Sequence, residues 1–154
     1  MNFKALEKIF TGMKTSKILI VGLGNEYCSD DKAGLLLFEK LRNRPELLGA
    51  NFINVGCNPE NHIIKMIELN PELIIFIDAV EKNENQVSIE IYRSGEIEDK
   101  NFSTHAYSIG FIEKFIKMHI KPKFLYIGIN IKNSSPGITI SQEVFNKINS
   151  FMYK

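Results

Sequence analysis

Cysteine is scarce, tryptophan is absent and the net charge is close to zero in this chain of 154 residues. Cys28 and Cys57 stand alone without a Cys-x-x-Cys spacing, which excludes a cysteine-only zinc site within the chain and argues against a disulfide framework. With eleven phenylalanines and no tryptophan, the composition favours buried rings that need no polar partner. A net charge of +1 provides no strong field for nucleic acid or an anionic membrane, so we expect neither as a partner.

Long apolar runs are also missing. No stretch approaches the roughly 20 residues that span a bilayer. The first seventeen residues contain four lysines but no continuous apolar region and no small-residue cleavage site, unlike a signal peptide. Apolar residues at helical spacing between positions 3 and 13 predict a short amphipathic helix packed on the domain. We therefore expect a cytoplasmic protein with a helical extension over residues 1–16 and a single α/β domain over residues 17–154.

Strand-like and helix-like patterns alternate along the rest of the chain. Apolar, β-branched runs predict buried strands at 17–23, 51–55, 73–77 and 124–129, and alternation predicts an edge strand at 87–91. Helical periodicity appears at 33–41, 59–68, 106–119 and 141–152. Ser29 or Asp30 is expected to cap the helix at 33–41, and Phe111 is expected in the core. The alternation predicts a three-layer α/β/α fold with a twisted, mainly parallel sheet of about five strands.

Three polar residues are predicted at strand ends or loop mouths. Asp31 lies in the loop after the first strand, Asp78 directly follows the strand at 73–77, and His105 precedes a helix. Each has an ordinary structural explanation, such as a favourable helix dipole for Asp31 or loop amides for Asp78. However, the carboxyl ends of parallel strands meet at one edge of the sheet, where ligands bind. Their joint placement favours a metal-ligand set or an acid/base set.

The first loop suggests two other functions that we consider weaker. Gly22-Leu23-Gly24 after a strand is the opening of a dinucleotide fingerprint, but Tyr27 stands where the third glycine belongs. The loop is also acidic and would repel a pyrophosphate, so no nucleotide cofactor is expected. Cys28 would need a base such as His105 to act as a nucleophile, and an ordinary loop thiol is the better interpretation.

Five short motifs occur in order between about residues 17 and 150. They are Val21-Gly22-Leu23-Gly24-Asn25 with Asp30-Asp31-Lys32-Ala33-Gly34, Asn58-Pro59-Glu60-Asn61, Ile77-Asp78-Ala79, Ser103-Thr104-His105 and Tyr126-Ile127-Gly128-Ile129. Together they resemble the motifs of the [NiFe]-hydrogenase maturation endopeptidases. The resemblance implies a twisted sheet flanked by helices. It also implies a peptidase whose partner is the hydrogenase large-subunit precursor, from which it removes a short C-terminal extension after nickel insertion.

The resemblance also implies a set of site residues. Nickel, presented by the precursor, would be recognised by Asp31, Asp78 and His105, which would also be the catalytic residues. We assign substrate binding to Gly24, Asn25 and Thr104. Carboxylates and imidazole suit a borderline divalent ion, and three protein ligands leave positions open for substrate or water. The metal would polarise the scissile carbonyl, position it or activate water, or a carboxylate would act as general base; the sequence leaves these mechanisms open.

Two departures from the family pattern bear on partner choice. Lys32 replaces the usual glycine after the acidic pair, and Asn130-Ile131 replaces the usual Gln-Pro.

Two alternative functions stay open. One is that of a peptidyl-tRNA hydrolase, whose sequence also begins with a strand and Gly-x-Gly-Asn. However, that family has a histidine in its first loop, and this chain has no histidine before His62. The other alternative is a metal-sensing scaffold that binds the precursor without cutting it.

Overall fold

The apolar runs of the sequence form one five-stranded sheet. The computed structural model describes residues 1–81, 85–97, 109–132 and 134–153. The strands are β1 (Ile18–Leu23), β2 (Asn51–Gly56), β3 (Leu73–Glu81), β4 (Ile89–Arg93) and β5 (Lys123–Ile131). They lie in the order β2-β1-β3-β5-β4, and only β4, at the edge, is antiparallel to its neighbour. The predicted mainly parallel α/β fold is confirmed.

Helices cover both faces of this sheet. They are α1 (Phe3–Phe10), α2 (Ala33–Arg42), α3 (Ile63–Leu69), α4 (Ile109–Lys117) and α5 (Gln142–Tyr153). Because side chains alternate along a strand, Ile18 and Ile20 pack with α1, α2 and α5, whereas Leu19 and Val21 pack with α3 and α4. None of the helices in the described ranges combines the length and apolarity needed to cross a membrane. The domain boundary at residue 16 stays a prediction.

The position of Asp78 differs from the prediction. We expected Asp78 just after a strand, but β3 continues to Glu81. The reason is that β3 has two partners of different length. Its pairing with β1 ends at Ile77, whereas its pairing with β5 begins at Leu73 and runs through Asp78 to Glu81. Asp78 therefore lies inside β3, one residue beyond the end of the pairing between β3 and β1.

The acidic loop after β1 is fastened to the last helix of the chain. We expected Ser29 or Asp30 to cap the following helix, but the 3-10 turn at Ser29–Lys32 intervenes and α2 has no side-chain cap. Buried Asp30 instead accepts hydrogen bonds from the backbone N of Ser141 (2.6 Å) and from its hydroxyl (3.0 Å). Ser141 directly precedes α5, so Asp30 connects the two elements.

Helix α4 is anchored by a buried carboxylate that its periodicity did not predict. Glu113 accepts hydrogen bonds from the hydroxyls of Ser94 and Tyr126 and from the ammonium group of Lys117. Burial acts to raise the pKa of Glu113, but these bonds outweigh it and hold that pKa below its usual value. Burial and the Glu113 charge raise the pKa of Tyr126.

Phe111, in the same helix, was expected to lie in the core. This expectation was wrong, since 53% of Phe111 is exposed.

Replacing Gly34 with alanine tests how closely α2 approaches the sheet. A Cβ there would collide with the carbonyl oxygen of Leu23, and would lie 2.9 Å from the carbonyl oxygen of Ile77. We expect Gly34→Ala to lower the free energy of unfolding by about 2 kcal/mol in urea titrations, because backbone atoms cannot yield as side chains do. Alanine normally stabilises a helix relative to glycine, so a variant as stable as the parent would contradict this packing.

Removing the Asp30 carboxylate tests the connection between the first loop and α5. Asp30→Ala should lower the free energy of unfolding by about 2 kcal/mol, because a partly buried backbone N–H loses a charged acceptor. Ser141→Ala removes only the hydroxyl and should cost about 1 kcal/mol. Equal losses for the two variants in urea titrations would show that the backbone bond contributes nothing.

Candidate active site

The two predicted carboxylates lie at the point where the chain connections of the sheet diverge. β1 has β2 on one side and β3 on the other, and open α/β sheets bind ligands beyond the carboxyl ends of two such strands. Asp31 comes from the loop after β1, and Asp78 belongs to β3. Gly34, one helical turn beyond Asp31, approaches so closely that its Cβ would lie 3.0 Å from the Cα of Asp78. The structure thus brings both carboxylates to one edge of the sheet.

Asp31 is held at one oxygen and open at the other. Its Oδ2 accepts a hydrogen bond of 3.0 Å from the backbone N of Asn25. Its Oδ1 accepts no hydrogen bond from the described residues. This oxygen is buried, and only 6% of Asp31 as a whole is exposed. A buried carboxylate oxygen without a donor is costly unless a cation or donor meets it. Within the described ranges, this oxygen is therefore an unsatisfied acceptor that is available to a ligand.

The close approach of Gly24 makes this arrangement of Asp31 possible. Gly24 has a φ of +149°, and a Cβ at this position would lie 2.5 Å from the backbone oxygen of Asp31. Asn25 fixes the turn further, because its side-chain oxygen accepts a 2.9 Å hydrogen bond from the backbone N of Tyr27. Gly24 and Asn25 were predicted to bind substrate. Their contacts in the structure determine the conformation of the loop around Asp31.

Asp78 is fully buried, and its Oδ1 accepts a 2.8 Å hydrogen bond from the backbone N of Ala79. The remaining predicted site residues, His105 and Thr104, lie outside the described residues, so the third ligand stays a prediction. Within the described ranges, no group of three histidine, cysteine, aspartate or glutamate side chains is close enough to hold a metal ion. The described part of the site is thus a carboxylate pair.

Cys57 lies at the edge of the candidate site, although it was not predicted to be a site residue. It directly follows β2, and its Sγ lies 3.5 Å from the carbonyl oxygen of Gly24, to which the thiol donates. Burial raises the pKa of the Cys57 thiol, and the negative charge of Asp31, then the neighbouring Cys28 and Asp78, raise it further. Both carboxylates therefore act on one thiol, which supports their convergence. The only signal for Cys57 in the sequence is its position after a strand of the same sheet.

The acidic motif after β2 carries a second vacant oxygen. Glu60 lies in the 3-10 turn Pro59–His62, and its Oε2 is buried without a hydrogen-bond partner among the described residues. This turn follows the carboxyl end of β2, at the same edge of the sheet as the loop of Asp31. Glu60 belongs to the motif Asn58-Pro59-Glu60-Asn61 but was not predicted to be a site residue.

The two departures from the family pattern have defined contacts. The ammonium group of Lys32 donates to the carbonyl oxygen of Ile138, so this cation is directed at the loop before α5. The buried Asn130 amide donates to the carbonyl oxygen of Gln86 (2.6 Å). Asn130 therefore fastens the segment before β4 to β5.

The sequence profile described as hydrogenase maturation protease (HycI) matches residues 36–154. The chain belongs to the hydrogenase maturation protease family. The predicted family and the prediction of a peptidase are both confirmed. The matched range contains Asp78 and His105 and begins after Asp31. The assignment of Asp31 to the candidate site therefore depends on the geometry of the first loop alone.

Individual relatives agree with this family assignment. A putative hydrogenase maturation protease of Methanocaldococcus jannaschii is 28% identical over 123 residues, covering 75% of this chain and 73% of the relative. The hydrogenase 3 maturation protease of Escherichia coli K12 is 28% identical over 114 residues, covering 72% and 70%. The crystal structure of the [NiFe] hydrogenase maturation protease HycI from Thermococcus kodakarensis KOD1 has a TM-score of 0.77, covering 95% of this chain and 92% of that one, at 23% identity. That structure shows the same fold.

The electrostatic contact between Asp31 and Cys57 can be tested by alkylation. Asp31→Asn removes a negative charge that raises the thiol pKa, so the thiolate fraction of Cys57 should increase. We expect iodoacetamide to modify Cys57 about threefold faster at pH 8, measured by peptide mass spectrometry that separates it from Cys28. Glu26→Gln neutralises an exposed carboxylate of the same loop and serves as the matched control. Equal rates in the parent and Asp31→Asn would contradict the proximity of these two groups.

Proposed function

We propose that this protease removes a C-terminal extension from the large-subunit precursor of a [NiFe] hydrogenase after nickel has been inserted. The single observation that carries the proposal is the buried Oδ1 of Asp31, which has no hydrogen-bond partner among the described residues and lies at the same edge of the sheet as Asp78. The names of the relatives, which are maturation proteases of hydrogenases, support the class of substrate. A cytoplasmic location would place the protease with newly made precursors.

Nickel in this proposal belongs to the substrate. Asp31 and Asp78 supply carboxylate oxygens, and His105 would supply an imidazole; this mixed set suits a borderline divalent ion. The vacant Oδ1 supports this fit, because a cation would satisfy a buried acceptor that no described residue satisfies. The protease would then distinguish loaded from unloaded precursor through this contact.

The described residues also prepare the carboxylates for catalysis. The backbone N of Asn25 donates a hydrogen bond to Oδ2 of Asp31, and the backbone N of Ala79 donates one to Oδ1 of Asp78. Both carboxylates are therefore oriented before the substrate binds. Burial excludes bulk water from both groups. A bound nickel ion would supply Lewis acidity toward the scissile carbonyl or a water molecule. In the general-base mechanism, one of the same carboxylates takes the proton from the attacking water. Gly24, Asn25 and Thr104 would contact the peptide next to this pair.

Incubation with a purified hydrogenase large-subunit precursor tests the proposal. We expect intact-mass spectrometry to show loss of a C-terminal peptide from the nickel-loaded precursor and no loss from the nickel-free precursor. Asp31→Asn should lower kcat/KM by about 100-fold or more, because it removes a charge at the reacting centre. His105→Ala should abolish cleavage without changing the circular dichroism spectrum.

Glu26→Gln is the matched control for this experiment. It neutralises a carboxylate of the same loop that is exposed to solvent, and cleavage should continue at the parental rate. Cleavage that does not depend on nickel would contradict the proposed recognition. Full activity of Asp31→Asn would contradict the assigned site, and binding of the precursor without cleavage would contradict the proposed reaction.

A further inference from the structure

The end of β2 is hydrogen-bonded to Gly24, the residue at which the acidic loop leaves β1. The backbone N of Gly24 donates to the carbonyl oxygen of Gly56 (3.0 Å), and the carbonyl oxygen of Gly24 accepts from the thiol of Cys57 (3.5 Å). We propose that Cys57 is a positioning residue of this protease, because its thiol orients the peptide group that binds the Asp31 carboxylate. The inference rests on the proposed function, in which Asp31 acts on the precursor.

A single peptide group connects Cys57 to Asp31. The peptide between Gly24 and Asn25 contains the carbonyl oxygen that accepts from the Cys57 thiol. The same peptide contains the N–H of Asn25, which donates to Oδ2 of Asp31 (3.0 Å). This peptide is trans, so its C=O and N–H lie in one rigid plane and point in opposite directions. A rotation of the plane would therefore change both hydrogen bonds together, and a donor on the carbonyl side fixes the direction of the N–H.

The glycine makes the orientation of this peptide group dependent on such a donor. Gly24 has a φ of +149°, and without a Cβ its backbone can rotate more freely than that of other residues. Its carbonyl group is in a buried residue, and within the described ranges the Cys57 thiol is its one hydrogen-bond donor. Without this thiol, the carbonyl would lack that partner and the peptide could turn toward another one.

The thiol is protonated at neutral pH and can therefore donate. Burial raises the pKa of the Cys57 thiol, and the negative charge of Asp31 raises it further. A thiol is a weak donor, so its removal should change the stability of the whole fold only slightly. The effect should be local to the peptide between Gly24 and Asn25, and it should alter the reaction more than the binding of the precursor.

Hydrogen exchange of the Asn25 amide, measured by NMR on the protein without precursor, tests the orientation of this peptide. In Cys57→Ala the donor is lost, and we expect the Asn25 amide to exchange about fivefold faster. Cys57→Ser keeps a donor and should exchange within about twofold of the parental rate. The amide of Ala79, which donates to Asp78, should keep its parental rate in both variants.

Cleavage of the nickel-loaded precursor provides the second measurement. We expect Cys57→Ala to lower kcat about fivefold and to leave KM within about twofold, because a displaced Asp31 carboxylate impairs the reaction rather than the binding. Cys57→Ser should restore the parental kcat. Cys28→Ala is the matched control, since it removes the other thiol of the chain, whose side chain makes no capping hydrogen bond to the turn that it precedes. This control should cleave at the parental rate.

The two measurements separate this inference from the proposed function. A faster Asn25 amide in Cys57→Ala, with the parental rate in Cys57→Ser, supports the positioning role even where no variant and no parent cleaves the precursor. That result overturns the proposed function alone. An unchanged Asn25 amide in Cys57→Ala overturns the inference even where cleavage proceeds normally.

Three other outcomes also overturn the positioning role. An equal acceleration at Ala79 would show that Cys57 only stabilises the whole fold. A Cys57→Ser variant that exchanges as fast as Cys57→Ala would show that the donor is irrelevant. A parental kcat in a Cys57→Ala variant with a faster Asn25 amide would show that the orientation of this peptide does not affect the reaction. If Cys57→Ala does not fold, Cys57→Val removes the donor while it fills the space, and the same expectations apply to it.

Discussion

The contact between the start of α2 and the ends of β1 and β3 determines the geometry of this site. At Gly34 the helix backbone rests on the carbonyl oxygens of Leu23 and Ile77, with no space for a side chain. This contact sets the height of the preceding turn, and so the position of Asp31 relative to Asp78. A helix displaced by the thickness of one methyl group would move the turn that carries Asp31 away from β3, which carries Asp78.

Adjacent carboxylates divide two tasks in the loop after β1. Asp30 is buried, and both of its carboxylate oxygens accept hydrogen bonds from Ser141, so this carboxylate stabilises the fold. Oδ1 of Asp31 has no hydrogen-bond partner in the described part of the chain, and an unsatisfied buried oxygen costs folding free energy that a bound ligand would relieve. A rigid loop with one unsatisfied group is what recognition of a cation requires, since an ordered carboxylate does not have to reorganise.

Much of this arrangement follows from patterns in the sequence, and the rest depends on strand order. The apolar runs predicted the strands because a parallel sheet covered on both faces buries nearly every residue of its central strands. The placement of Asp31 and Asp78 at one edge was predictable because the carboxyl ends of parallel strands meet at the same edge of a sheet. The extension of β3 through Asp78 was not, because it depends on the length of β5. Cys57 was missed because its role arises only when β2 lies beside β1. Nothing in Asp30-Asp31 distinguishes the structural carboxylate from the open one.

The hydrogen bonds between Asp30 and Ser141 join residues 111 positions apart in the chain. A contact between residues this far apart in the chain is non-local, and the entropy of closing a long loop opposes its formation. The loop that carries Asp31 is therefore completed only when α5, the last helix of the fold, has docked. A nascent or truncated chain without Ser141 would lack this anchor of the acidic loop.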